Sequence, residues 1–131
     1  MRPSVNDVVL DASALLAVLR AEPGAERVEP HLEGARICAV NLSEVVTKLI
    51  ADGVPEPEIR RAIGRLELEV PAFGQQDAYA AGILCRSSGA LELSFGDRAC
   101  LALAQSLNAP ALTANRSWAQ LDLGITVEVI R

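Results

Sequence analysis

Val8-Val9-Leu10 is an apolar run with two β-branched residues, and it stops at the carboxylate of Asp11. Such a run reads as a strand covered on both faces, the kind that builds a mostly parallel sheet. Ala14-Leu15-Leu16-Ala17-Val18-Leu19 continues as a strong helical pattern, so a first helix is expected from Ser13 to Arg20, ending before Glu22-Pro23-Gly24. Ala25 to Leu32 fits a short second helix limited by Pro30. Arg36-Ile37-Cys38-Ala39-Val40 reads as a second strand. Asn41-Leu42-Ser43-Glu44 has the form of a capping box, and Leu42, Val45, Val46, Leu49 and Ile50 lay one apolar stripe along the helix behind it, which Gly53 stops.

The second half repeats the alternation. Glu56 to Leu66 predicts a charged helix with Ile59, Ile63 and Leu66 inward and Arg60, Arg61 and Arg65 outward. Leu68-Glu69-Val70, ending at Pro71, predicts a short edge strand. Gln76 to Arg86 is Ala-rich and helical, followed by the loop Ser87-Ser88-Gly89. Ser94-Phe95-Gly96-Asp97 opens a helix whose body, Ala99 to Ala104, has no polar residue and is expected to be enclosed nearly all round. Pro110 to Thr113 reads as a strand, Asn115 to Trp118 as a turn or short helix, and Ile125 to Ile130 as a final alternating strand. Helix and strand alternate with no linker or repeat, so residues 1–131 are expected to form a single α/β domain.

Composition narrows this further. Half of the 131 residues are hydrophobic but only 3% are aromatic, so the core must be built from Ala, Leu, Val and Ile. No apolar run approaches the roughly 20 residues of a membrane-spanning helix, and no signal-peptide pattern opens the sequence; a cytoplasmic protein without membrane contact is expected. Cys38, Cys85 and Cys100 are odd in number and set among apolar residues, which predicts buried thiols in a reducing compartment. A lone histidine, His31, leaves no basis for a Cys–His nucleophile or a zinc site. Twelve basic residues against seventeen acidic ones give a net charge of −5, which argues against gripping nucleic acid through a broad basic surface. A local strip from Lys48, Arg60, Arg61 and Arg65 remains compatible with it, as does a bound cation that supplies positive charge itself.

Asp11, Glu44 and Asp97 each stand where a strand or loop turns into a strongly apolar helix. In a parallel α/β sheet such junctions converge on one edge. Clustered carboxylates repel and raise one another's pKa, and a hard divalent cation removes that penalty. A cation so held activates water and stabilises charge on a phosphodiester, so hydrolysis of that bond is the chemistry these residues suit. Each acid also has a plain structural explanation. A first-turn acid gains about 0.3–1 kcal/mol from the helix dipole, which suits Asp97 and, through its capping box, Glu44. Asp11 is less easily explained, because a carboxylate behind a buried strand needs a partner. Ser13 either caps the first helix or orients Asp11 or a metal-bound water, and Thr113 is either a strand residue or a hydrogen-bonding partner of a water or a neighbouring acid. Asp77 and Asp122 read as structural.

Asp11-Ala12-Ser13-Ala14-Leu15-Leu16, Ser43-Glu44-Val45, Ser94 to Ala104, and Leu112-Thr113-Ala114-Asn115-Arg116-Ser117-Trp118 together resemble the successive motifs of PIN-domain ribonucleases, above all VapC-type toxins of prokaryotic toxin–antitoxin modules. The resemblance covers nearly the whole chain, and its strength lies in the order and spacing of the motifs. It implies a three-layer fold, a central parallel sheet flanked by helices. It also implies a Mg²⁺- or Mn²⁺-dependent endoribonuclease, neutralised by a cognate antitoxin and forming a homodimer. On this resemblance Asp11, Glu44 and Asp97 are catalytic acids, with Asp11 and Asp97 holding metal. Asn115 stands where a fourth acid is common and is placed with the catalytic set; it offers an amide oxygen to a metal or its water but no negative charge, which predicts weaker metal affinity, particularly for a second ion. Arg98 and Arg116, next to site positions, are candidates for RNA phosphate contacts. Two other readings stay open: a PIN-fold binding module weakened by Asn115, and a small-molecule phosphohydrolase, which lacks a Gly-rich phosphate cradle.

Overall fold

A computed structural model describes residues 7–86 and 91–131. Four parallel strands, β1 (Val9–Leu10), β2 (Arg36–Ile37), β3 (Ala111–Thr113) and β4 (Val127–Val129), form one sheet in the order β2-β1-β3-β4. Six helices accompany it: α1 (Ala12–Leu19), α2 (Ala25–Val28), α3 (Ala39–Ala51), α4 (Glu56–Gly64), α5 (Gln75–Ile83) and α6 (Phe95–Leu107). This is the expected architecture. Successive residues of β1 point to opposite faces, as a strand's period of two requires. Val9 packs with Ala111, Trp118 and the inner side of α6, whereas Leu10 packs with Leu112, Val28 and the inner side of α1. A third cluster, with Leu15, Ile37, Val45 and Ile59, closes α1, α3 and α4 together. Both faces of the sheet are covered, which is why its central strands read as unbroken apolar runs.

Strand order places the site. The chain leaves β1, forms β2 on one side, and after α3 to α6 returns as β3 on the other side of β1. The carboxyl ends of β1 and β3 therefore flank the point where winding direction reverses, the usual crevice for ligands in open sheets. In register, Leu10 is opposite Leu112, which sets Asp11 beside Thr113.

Several local expectations change. The second strand ends at Ile37 and α3 begins at Ala39, with Cys38 in extended geometry as its N-cap. Asn41 therefore lies inside the helix, and the capping box expected at Asn41–Glu44 does not form. The segment around Glu69 makes a single parallel bridge to Arg36, outside β2 where an edge was expected. Cys38 and Cys100 are buried, but Cys85 is exposed. In the turn after α5 it is Leu84 that enters the core, and the next residue faces away. The body of α6 is enclosed as expected, with Ala99, Cys100, Leu101, Ala102 and Ala104 all buried. The loop Ser87-Ser88-Gly89 lies outside the described residues. Among the described residues no helix is long and apolar enough to cross a membrane.

Candidate active site

Asp11 leaves β1 in an extended conformation and caps α1, its Oδ1 accepting the Ala14 amide at 2.8 Å. Ser13 Oγ donates to the same oxygen at 2.7 Å, and Thr113 Oγ1, from the end of β3, donates to Oδ2 at 2.5 Å. The Thr113 bond spans the reversal point between β1 and β3. Both hydroxyls are themselves fixed: Ser13 Oγ accepts the Ala114 amide at 2.9 Å and Thr113 Oγ1 accepts the Asn115 amide at 3.0 Å. Their single protons are thus committed to the carboxylate. Asp11, not Ser13, supplies the cap, and the Ser13 hydroxyl is turned toward Asp11. Asp11 is only 6% exposed. Burial raises its pKa above the ordinary aspartate range, its hydrogen bonds pull the other way, and the charge of Asp97 adds to the rise.

Asp97 sits in the first turn of α6 in a true capping box. Its amide donates to Ser94 Oγ at 3.1 Å, and its Oδ2 accepts the Ser94 amide at 3.0 Å. Glu44 projects from α3 toward that same turn. A Cβ built on Gly96 would stand 2.6 Å from Glu44 Cδ, so the carboxylate occupies space that any other residue at Gly96 would fill. Asn41, one turn before Glu44, donates its amide to Glu44 Oε1 and to the Gly96 carbonyl, both at 2.9 Å.

One turn beyond Asp97, Cys100 is buried, and burial raises its thiol pKa well above the usual value, with lesser contributions from Asp11, Cys38, Asp97 and Glu44. The three acids come from three separate stretches of chain. They do not form a closed cage: among the described residues no three acidic, histidine or cysteine side chains stand ready to hold an ion. The donors are all oxygen, and Asp97 Oδ1 and Glu44 Oε2 take part in none of the hydrogen bonds described above. Burial and, to a lesser degree, Asp97 disfavour the ionised form of Asp11, a penalty that protonation relieves and that a bound cation would relieve as well. This donor set fits a hard divalent ion that keeps most of its waters and needs one or two direct carboxylates.

The remaining candidates fall at the margin. Asn115 Oδ1 caps the turn after β3, accepting from the Ser117 amide at 3.1 Å and Ser117 Oγ at 2.6 Å, which directs that oxygen into the turn. Arg98 Nη1 donates to the Ala81 carbonyl at 3.1 Å, tying α6 to α5. Arg116 Nε donates to the Arg131 carbonyl at 2.9 Å. Each arginine has a structural partner already. Asn41 and Gly96 escaped sequence reasoning. The Asn41-x-x-Glu44 spacing was a real signal, but it pointed to a cap instead of a side-chain pair inside the helix.

The model of the PIN domain matches residues 8–123. No curated protein matches the sequence. Solved structures share the fold at low identity. A toxin–antitoxin complex from Klebsiella pneumoniae is 19% identical with a TM-score of 0.76, covering 95% of this chain and 98% of that one. DNA-bound VapBC from Salmonella typhimurium is 21% identical with a TM-score of 0.69 and the same coverage of 95% and 98%. VapBC2 from Rickettsia felis, bound to a promoter DNA fragment, is 15% identical with a TM-score of 0.68, again covering 95% and 98%. With the match running from β1 through Asp11, Glu44, Asp97 and Thr113 to the turn beyond them, the chain belongs to the PIN domain family.

Proposed function

We propose that this chain is a metal-dependent endoribonuclease toxin, held silent in the cytoplasm by a cognate antitoxin and acting as a homodimer. The observation that carries the reading is Asp11. Its carboxylate is buried at the reversal point of a parallel sheet, fixed by two committed hydroxyls and destabilised by Asp97. A side chain held at such cost is better explained by a cation than by capping, which an asparagine would do equally well. Family membership and the likeness to toxin–antitoxin structures support the same reading.

In this scheme Asp11 and Asp97 would hold Mg²⁺ or Mn²⁺, which would supply positive charge and lower the pKa of water beside a phosphodiester. Ser13 and Thr113 keep both Asp11 oxygens in one orientation, so no rearrangement is needed during the reaction. Glu44, anchored against the first turn of α6, contributes the third negative charge, and its Oε2 would take the proton of the attacking water as the P–O bond to the leaving alkoxide breaks and that oxygen takes a proton from solvent. Asn115 adds no charge and spends its oxygen on the turn, so a second ion is held weakly or not at all. RNA, not DNA or a small ester, is the expected substrate. The antitoxin's tail is expected to occupy the acidic groove formed by these residues.

Antitoxin-free chain is expected to cut a structured RNA with Mg²⁺ or Mn²⁺ and to lose this with EDTA. Cleavage that survives EDTA would contradict the metal role. A second reading, a binding module without catalysis, draws on the open arrangement of the acids and on the capping role of Asn115. It predicts Mn²⁺ binding no tighter than that of a generic acidic surface and no RNA cleavage under any metal.

A further inference from the structure

Asn41 is 1% exposed, on the inner face of α3, yet its amide oxygen has no hydrogen-bond partner. Its amide nitrogen bonds both Glu44 Oε1 and the Gly96 carbonyl at 2.9 Å. Both partners accept and neither donates at those atoms, so the amide has one workable orientation. Flipping it would turn Oδ1 against a carboxylate and a carbonyl. A leucine of similar volume would fill the same space without burying an unpaired oxygen, so packing alone gives no reason for an amide there. What the amide achieves is to donate to Glu44 from a fixed point. Across from it, a Cβ on Gly96 would lie 2.5 Å from Glu44 Oε2, so any side chain there would push the carboxylate aside. The carboxylate is thus held from one side by a donor and admitted on the other by a missing side chain.

We propose that Asn41 and Gly96 form a cradle that fixes the Glu44 carboxylate against the first turn of α6, which makes Asn41 a positioning residue for the acid site. The cradle couples α3 to α6 through one acid, so that Glu44 keeps a set relation to Asp97, the residue after Gly96. The rival explanation is that Asn41 only pins the helices together through the Gly96 carbonyl. That explanation needs no Glu44.

A double-mutant cycle separates the two, and it is read in two ways. In EDTA, melting temperatures are compared for the wild-type chain, Asn41→Leu, Glu44→Ala and the double variant. The cradle predicts that the two shifts are non-additive, because each substitution removes the same contact; additive shifts would overturn it. Mn²⁺ titration by calorimetry is the second reading, and it rests on the proposed cation site. Asn41→Leu and Gly96→Ala are each expected to weaken Mn²⁺ binding, by no more than Glu44→Ala does, because each displaces the negative charge that Glu44 adds beside Asp11 and Asp97. The double variant should bind no more weakly than Glu44→Ala alone. Unchanged affinity in both single variants would overturn the positioning role. A wild-type chain that binds no Mn²⁺ would instead remove the cation site, and the EDTA cycle would still decide the cradle. If Asn41→Leu does not fold, Gly96→Ala carries the Mn²⁺ comparison, and Asn41→Ser replaces Asn41→Leu in the cycle.

Discussion

Asp11→Asn is expected to lower metal-dependent RNA cleavage by more than about 100-fold, beyond the upper end for groups that merely orient a metal ligand. The same change is expected to leave the metal-free fold at neutral pH as stable as the wild type, or more so. The asparagine keeps an oxygen for the Ala14 amide and Ser13 and offers an amide to Thr113 Oγ1, whose own proton turns to Ser13 Oγ 3.4 Å away, so the cap survives while a buried charge is removed. The pH dependence follows from the direction of the Asp11 shift. Its pKa is raised in the folded state, chiefly by burial, so the folded chain favours the protonated form. The stability this contributes is fully present below the unfolded pKa and is lost as pH rises through the folded one. In EDTA the wild-type melting temperature should therefore fall across that window, and Asp11→Asn should flatten the fall. Mn²⁺ should restore stability to the wild type and not to the variant. A variant that cleaves at the wild-type rate, or that unfolds while metal-free, would remove Asp11 from the role assigned to it.

Trp118→Ala is expected to have the largest effect on stability, a loss of about 3–5 kcal/mol in urea unfolding. Trp118 is fully buried in the turn after β3 and packs in the cluster with Val9, Leu101 and Ala111. It therefore backs both strands whose ends carry Asp11 and Thr113. Its indole nitrogen makes no hydrogen bond, so Trp118→Phe loses volume alone and should cost clearly less than the alanine change. Equal losses for the two variants would mean that an unseen polar contact, not packing, holds the turn. A loss below about 1 kcal/mol for alanine would mean that the turn is not anchored to the sheet.

The parts of this fold that were legible are those fixed by short stretches of sequence. Val8-Val9-Leu10 followed by Asp11 announces a buried strand and an acid at its end, because covering both faces of a strand demands unbroken apolar residues. The polar-free body of α6 announces its enclosure for the same reason. What was not legible depends on pairing across a hundred residues. Nothing near Asp11 says that its partner is Thr113; that follows only from β3 returning beside β1 in the register Leu10–Leu112. Asn41 shows the opposite failure, a local pattern too easily satisfied. The Asn-x-x-Glu spacing fits a helix start, but the Gly96 carbonyl competes for the amide and the helix begins two residues earlier. Asp97 carries the same ambiguity with the other outcome, since its capping box is real and does not prevent it from acting on Asp11. Cys85 was misplaced because an apolar neighbourhood in sequence does not tell which side of a turn faces the core.

The measurement that bears most directly on the account is anomalous diffraction from crystals of the antitoxin-free chain soaked in Mn²⁺. The expected result is a peak beside Asp11 and Asp97 at the carboxyl end of β1, lost in crystals of Asp11→Asn. Mn²⁺ found only at other surface acids, with that edge of the sheet empty at saturating metal, would contradict it.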